Sequence, residues 1–129
     1  MTTRIAACSC GGLTATCEGE PPMVSLCNCL TCQQRTGSIF GVAARYPTEA
    51  VVTNGPSSVF VRPSEDGGAT TFHFCPTCGS TVFWALGRYP EILYVAVGAF
   101  ADPTFPMPKR TVYDERRHPW FTFEAASRL

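Results

Sequence analysis

Cys27, Cys29 and Cys32 stand within the stretch LCNCLTCQQRTGS. C-x-C-x-x-C spacing is tight enough to aim three thiolates at one zinc ion, with the fourth position filled by another side chain or open. Catalysis at a metal requires an open position. Three thiolates over-neutralise a divalent ion, so such a site is less suited to making hydroxide than one built from neutral histidines. It can instead accept a substrate thiol, lower its pKa below the ~8.5 of free cysteine, and hold the sulfur for attack on a carbonyl. Cys17, His73 and His118 are the candidates to close the fourth position. Cys17, in the alternating run LTATCE, reads more simply as a buried small hydrophobe, and His73, in TFHFC, as a satisfied histidine on a strand. His118, in RRHPW, could line a cleft.

A second set comprises Cys8 and Cys10, in CSCGG, and Cys75 and Cys78, in FCPTCGS. A CxxCG turn converges two sulfurs on one metal, with Gly79 free to adopt the positive φ that aims backbone N–H groups at sulfur. Residues i and i+2 of an extended strand face the same side, so Cys8 and Cys10 can supply the other two ligands. Together the four make a closed, structural zinc site that contributes folding energy and staples two segments far apart in sequence. CPTC also superficially matches a redox motif, but those motifs open a helix, and GSTVFWAL continues as a strand.

Strands are expected to position both sets. Runs of β-branched and aromatic residues bounded by turn residues occur at Arg4–Ala7, Leu13–Glu18, Met23–Leu26, Ile39–Tyr46, Ala50–Thr53, Ser57–Arg62, Thr70–Phe74, Thr81–Leu86, Ile92–Val97 and Arg110–Tyr113. This rhythm predicts an all-β fold. The one helical candidate is Leu30–Arg35, closed by Gly37, whose N-terminus near Cys29 or Cys32 would favour a thiolate. Pro63–Gly68 is the expected mobile loop. The aromatics Phe40, Phe72, Phe74, Phe83, Trp84 and Trp120 are expected in the core rather than in a substrate box, with Trp120, next to Pro119 and outside a clear strand, the one candidate among them for a pocket wall.

With 129 residues, 45% of them hydrophobic, the chain can bury roughly 68% of its unfolded surface as one domain, residues 1–129. Ten basic side chains balance ten acidic ones, which argues against a nucleic-acid partner. No segment reads as a membrane span or a secretory signal, so a cytoplasmic location is expected. There thiols stay reduced, favouring metal ligands over four disulfides for the eight cysteines.

With these sets in place, the pieces CSCGGLTATCEGEP, LCNCLTCQQRTGSIF, FHFCPTCGSTVFW, VGAFADP and HPWF, in this order, resemble the glutathione-dependent formaldehyde-activating enzyme family. The resemblance implies antiparallel sheets leaning together as a tent, a structural zinc on Cys8, Cys10, Cys75 and Cys78, and a catalytic zinc on Cys27, Cys29 and Cys32. It also implies a carbon–sulfur lyase that condenses glutathione with formaldehyde, reversibly, to S-(hydroxymethyl)glutathione. Arg35 is then a candidate partner for a carboxylate of glutathione. Relatives usually carry His where this chain has Asn28, which cannot titrate. Two other classes stay open: a non-catalytic zinc-stabilised interaction module with the second site closed or empty, and an iron–sulfur carrier.

Overall fold

The computed structural model describes residues 2–64 and 67–125 and the backbone of 127–128. In chain order the elements are β1 (Thr3–Ala7), β2 (Thr14–Glu18), β3 (Met23–Cys27), α1 (Leu30–Thr36), β4 (Gly41–Pro47), β5 (Val51–Asn54), β6 (Ser58–Pro63), β7 (Ala69–Phe74), β8 (Thr81–Leu86), β9 (Ile92–Ala96), β10 (Arg110–Val112) and β11 (Ser127–Arg128). Each expected strand run holds a strand, with ends moved by a residue or two. Short 3-10 turns at Thr48–Ala50, Val97–Phe100 and Asp114–Arg116 join some of them. Of the expected loop Pro63–Gly68, Pro63 ends β6, and Glu65 and Asp66 lie outside the described residues.

The strands form a three-stranded sheet in the order β1-β2-β5 and an eight-stranded sheet in the order β11-β10-β3-β4-β9-β8-β7-β6. All-β is therefore the observed class, but the larger sheet is mixed where antiparallel sheets were expected. β10 runs parallel to β3, with Val112 beside Cys27, and β11 runs parallel to β10. A short strand arriving after a long excursion can pair in either direction, and strand composition does not record which.

Side-chain alternation gives the larger sheet two different faces. On β4, Ala44 and Tyr46 are buried in a core shared with Ala6, Ala15 and Cys17 of the smaller sheet and Val95 of β9. Tyr46 donates its hydroxyl to the carbonyl of Gly19 at 3.2 Å, which satisfies the one polar atom it brings inside. Gly41, Ala43 and Arg45 alternate with these residues and face the other way, toward a cavity.

Across that second face the strand register aligns Arg45, Tyr94, Trp84, Phe72 and Phe60 in one row. Successive ring centroids lie 6.3, 5.8 and 6.5 Å apart from Tyr94 to Phe60, so each aromatic supports the next. Phe72, Phe83 and Trp84 are buried as expected. Phe40 is half-buried and stacks on Phe121, and Trp120 is 71% exposed. No helix among the described residues is long and apolar enough to cross a membrane.

Candidate metal centres and the cavity beside one of them

Cys8 and Cys10 follow β1, and Cys75 and Cys78 occupy the turn between β7 and β8. Their four sulfurs all lie within 4.8 Å of one another, with Cys8–Cys10 and Cys10–Cys75 each at 3.6 Å. Zinc–sulfur bonds of about 2.3 Å set a tetrahedral edge of about 3.8 Å, close to those separations. Backbone N–H groups already point at sulfur: Leu13 donates to Cys8 at 3.2 Å, and Thr77 and Cys78 donate to Cys75 at 3.4 and 3.5 Å. Gly79, at φ +81°, closes the turn by donating to the Cys75 carbonyl at 2.9 Å.

Crowding divides the protons unevenly among these thiols. The Ser80 backbone N–H, followed by that of Cys10 and the Ser80 hydroxyl, brings Cys78 down to about 5. The Gly12 N–H draws Cys10 downward, but the sulfurs of Cys75 and Cys8 outweigh it and push Cys10 up to about 11. Four sulfurs this close cannot all ionise unless a cation neutralises them, and a soft divalent ion fits the donor set. All eight cysteines are free thiols, and the CPTC turn runs into β8 rather than a helix, which removes the redox-motif geometry.

The second set is built where β3 meets α1. Cys27 ends β3, Cys29 is the N-cap of α1, and Cys32 lies in its first turn. The helix extends to Thr36, one residue beyond expectation, and Gly37 caps it at φ +71°. Cys29 Sγ accepts the Cys32 N–H at 3.4 Å, and the three sulfurs lie within 4.8 Å of one another. Hydrogen bonding from Cys27, then Cys32, holds Cys29 far below the ordinary thiol range, while the contact with Cys29 pushes Cys27 far above it. Without a cation, one thiolate is shared among three half-buried sulfurs.

Among the described residues no fourth Cys, His, Asp or Glu joins this set. Cys17 is buried in the core, where burial raises its thiol to about 11. His73 stacks on Phe83 at 4.5 Å and pairs with Ser57 Oγ at 3.2 Å. His118 Nε2 lies 3.1 Å from Gln33 Oε1. The Gln33 amide also donates to the carbonyls of Asn28 at 3.0 Å and Arg116 at 3.3 Å, so this pair latches α1 to the segment after β10.

Two cavity lobes meet at Cys27 and Cys32. One, of about 320 Å³, runs over the second face of the large sheet past Arg35, Arg45, Trp84, Tyr94 and Arg110. The other, of about 530 Å³, opens past Cys29, Arg62, Glu115 and Arg116. Tyr113 borders both and adopts φ +53°, an uncommon backbone state for a bulky residue. Arg35 sits with its guanidinium carbon 4.3 Å from the Trp84 ring. Arg45, Arg110 and Tyr113 were not singled out from sequence. The available signal was Arg45 at an otherwise small-residue strand position, in step with Gly41 and Ala43. Trp120 borders neither lobe and meets His118 edge-on at 5.3 Å.

Residues 3–116 match the family described as glutathione-dependent formaldehyde-activating enzyme. The chain belongs to the glutathione-dependent formaldehyde-activating enzyme family. Among solved structures, a crystal structure of a protein from Rhodobacter sphaeroides aligns with TM-score 0.54 at 20% identity, covering 74% of this chain and 85% of that one. That similarity supports the fold. A comparison with curated proteins returned no match.

Within this formaldehyde-activating family member, Asn28 acts as a clamp. It is 1% exposed, and both its backbone N–H and its Nδ2 donate to the Val112 carbonyl, at 3.1 and 3.2 Å. The side chain between the first two cysteines thus fastens the end of β3 to β10 and brings no titratable group to the cavity.

Proposed function

We propose that the chain is a zinc-dependent carbon–sulfur lyase that adds glutathione, or a thiol like it, reversibly to formaldehyde. The single observation that carries this reading is a three-sulfur set with no fourth protein ligand among the described residues, opening onto a two-lobed cavity. Cys27, Cys29 and Cys32 would hold the catalytic ion, and Cys8, Cys10, Cys75 and Cys78 a structural one. Zinc at the three-cysteine site would supply a cation that favours the thiolate form of a bound thiol and orients its sulfur. In the addition the sulfur–carbon bond forms, the carbonyl π bond breaks, and the thiol proton ends on oxygen; no electron donor or acceptor is needed.

The chain's own residues do the rest. Trp84, Tyr94 and Leu86 wall the smaller lobe and keep water from the sulfur, while guanidinium groups bind the carboxylates of the thiol. Arg35 is one of these cations, held against Trp84 beside Cys32. A cytoplasmic setting suits eight free thiols.

The experiment is exchange spectroscopy of carbon-13 formaldehyde with glutathione at equilibrium. Acceleration of exchange over the protein-free rate, lost in Cys29→Ser, supports the reading. Exchange no faster than in buffer refutes it.

A further inference from the structure

β6 forms one edge of the eight-stranded sheet and, among the described residues, pairs with β7 alone. Three large hydrophobics stand on it in succession: Val59, Phe60 and Val61 are 53%, 60% and 51% exposed. The edge strands of the smaller sheet, β1 and β5, carry one exposed large hydrophobic each, Ile5 and Val52. Open edges are ordinarily blunted by charge or proline. β6 has its one charge, Arg62, and its one proline, Pro63, together at the far end, and its middle is bare.

The direction of the backbone groups along this edge follows from the hairpin. Pro63 lies opposite Ala69, and Ser64 donates its N–H to the Gly68 carbonyl at 2.9 Å, so Ser64 and Gly68 make a hydrogen-bonded pair. Antiparallel ladders alternate between bonded and non-bonded pairs. Arg62, Phe60 and Ser58 therefore direct their N–H and C=O groups at β7, while Pro63, Val61 and Val59 direct theirs outward. Two observations agree with this phase. The Ala69 carbonyl accepts from Gly87 on its other side, at 2.8 Å, and Pro63, which has no N–H, falls where the sheet needs none. Val59 and Val61 thus present two donors and two acceptors beyond the edge.

A second copy of the same strand matches this pattern. Turned antiparallel about a two-fold axis at Phe60, it sets Val59 opposite Val61 of the other copy and Phe60 opposite its own equivalent. Both valine pairs then fall at bonding positions, which gives four backbone hydrogen bonds. The two Phe60 residues meet at a non-bonded position, where Cα atoms approach to about 4.5 Å and side chains are closest. Phe60, 6.5 Å from Phe72, ends the aromatic row of the second face, so the pairing joins the two rows ring to ring. Arg62 comes opposite Ser58, about 13 Å along the strand from the level of the other Arg62, which exceeds the ~8 Å Debye length. A register centred on Val61 would set Pro63 against Val59 and lose a donor, and one centred on Val59 would leave Phe60 facing Ser58.

We propose that β6 is a self-association edge, at which two copies of this chain pair antiparallel about Phe60 to form a two-fold dimer with one sheet continuous across both. Each copy contributes the same edge, so assembly stops at two. A strand edge covers less than the ~800 Å² per partner of a standard stable interface, so the dimer dissociates on dilution. No cysteine lies on β6, and the pairing is independent of the thiol chemistry.

The test is sedimentation velocity of the full chain, zinc-replete and reduced so that no disulfide-linked pair contributes, from about 1 µM to 1 mM. The mass is expected to rise from 14.0 kDa toward twice that value. Phe60→Lys sets two like charges opposite each other and is expected to weaken association at least about tenfold. Val61→Pro removes an outward N–H that the β6–β7 ladder does not use, and is expected to do the same with melting close to wild type. Val52→Lys, on the edge of the other sheet, is expected to stay within about twofold of wild type. In wild type, hydrogen exchange of the Val59 and Val61 amides is expected to slow as concentration rises, while that of Phe60, already bonded to β7, changes less. A 14.0 kDa mass over the whole range, a dimer that survives both β6 substitutions, growth beyond two copies, or exchange at Val59 and Val61 that ignores concentration overturns the proposal.

Discussion

Asn28 and Val112 are joined twice: the Asn28 backbone N–H and side-chain Nδ2 both donate to the Val112 carbonyl, at 3.1 and 3.2 Å. Asn28 Oδ1 is buried without a hydrogen-bond partner among the described residues. Asn28→Asp would replace the donor with a second acceptor and place a charge between the sulfurs of Cys27 and Cys29. A loss of roughly 3 kcal/mol is expected, measured by urea unfolding, against about 1 kcal/mol for Asn28→Ala. Equal stability of the aspartate variant would show that position 28 is not the clamp described.

Gly41 gives room to Arg35. An alanine methyl would approach Arg35 Nη2 to 2.7 Å, and that atom is the far end of a flexible side chain. Gly41→Ala is therefore expected to fold, with a melting point within about 3 °C of wild type, while lifting the guanidinium off Trp84. A change in tryptophan emission with little change in stability is the expected signature; a collapse of stability would mean that Arg35 cannot move.

Gly55 is different. It sits at φ +96°, and a Cβ there would fall 1.8 Å from the Gly12 carbonyl oxygen, a backbone atom in the turn after Cys10. Gly55→Ala must force the β5–β6 connection away from the four-cysteine site. A loss on the order of 3 kcal/mol or more is expected, together with weaker retention of the ion proposed for that site during chelator challenge.

Tyr46 ties stability to alkaline pH. Burial, with Cys17 nearby, raises its phenol to about 12 in the folded protein, against about 10 when unfolded. The folded state therefore holds the proton more tightly. The resulting stability is fully present below pH ~10 and is lost as pH rises toward ~12. Tyr46→Phe is expected to flatten this decline and, below pH 10, to cost about 1 kcal/mol for the lost bond to Gly19. An unchanged alkaline slope in pH-dependent unfolding would assign the titration elsewhere.

Much of this molecule could be read before its structure, for reasons that differ between residues. The CxC and CxxC spacings bring sulfurs together through a local turn, so Cys27, Cys29 and Cys32 meet whatever the rest of the chain does. Pairing Cys8 and Cys10 with Cys75 and Cys78 required only ligand counting. Strand positions followed from runs of Val, Thr and Phe between turn residues. What failed to show was non-local: the parallel pairing of β10 with β3 carries Arg110 and Tyr113 to the cavity, and only tertiary register aligns Arg45 with Tyr94 and Trp84. Trp120 was conspicuous in sequence because it stood outside any strand, and the same feature leaves it on the surface.

The most direct measurement is zinc per chain, by elemental analysis of anaerobically purified wild type and Cys29→Ser. Serine is itself a good N-cap, so the substitution spares the start of α1 while removing a soft ligand. About two ions per chain in wild type and about one in the variant, with unchanged circular dichroism, is the expected result. About one ion in both proteins would mean that LCNCLTC holds no metal, and the proposed thiol chemistry would have no centre.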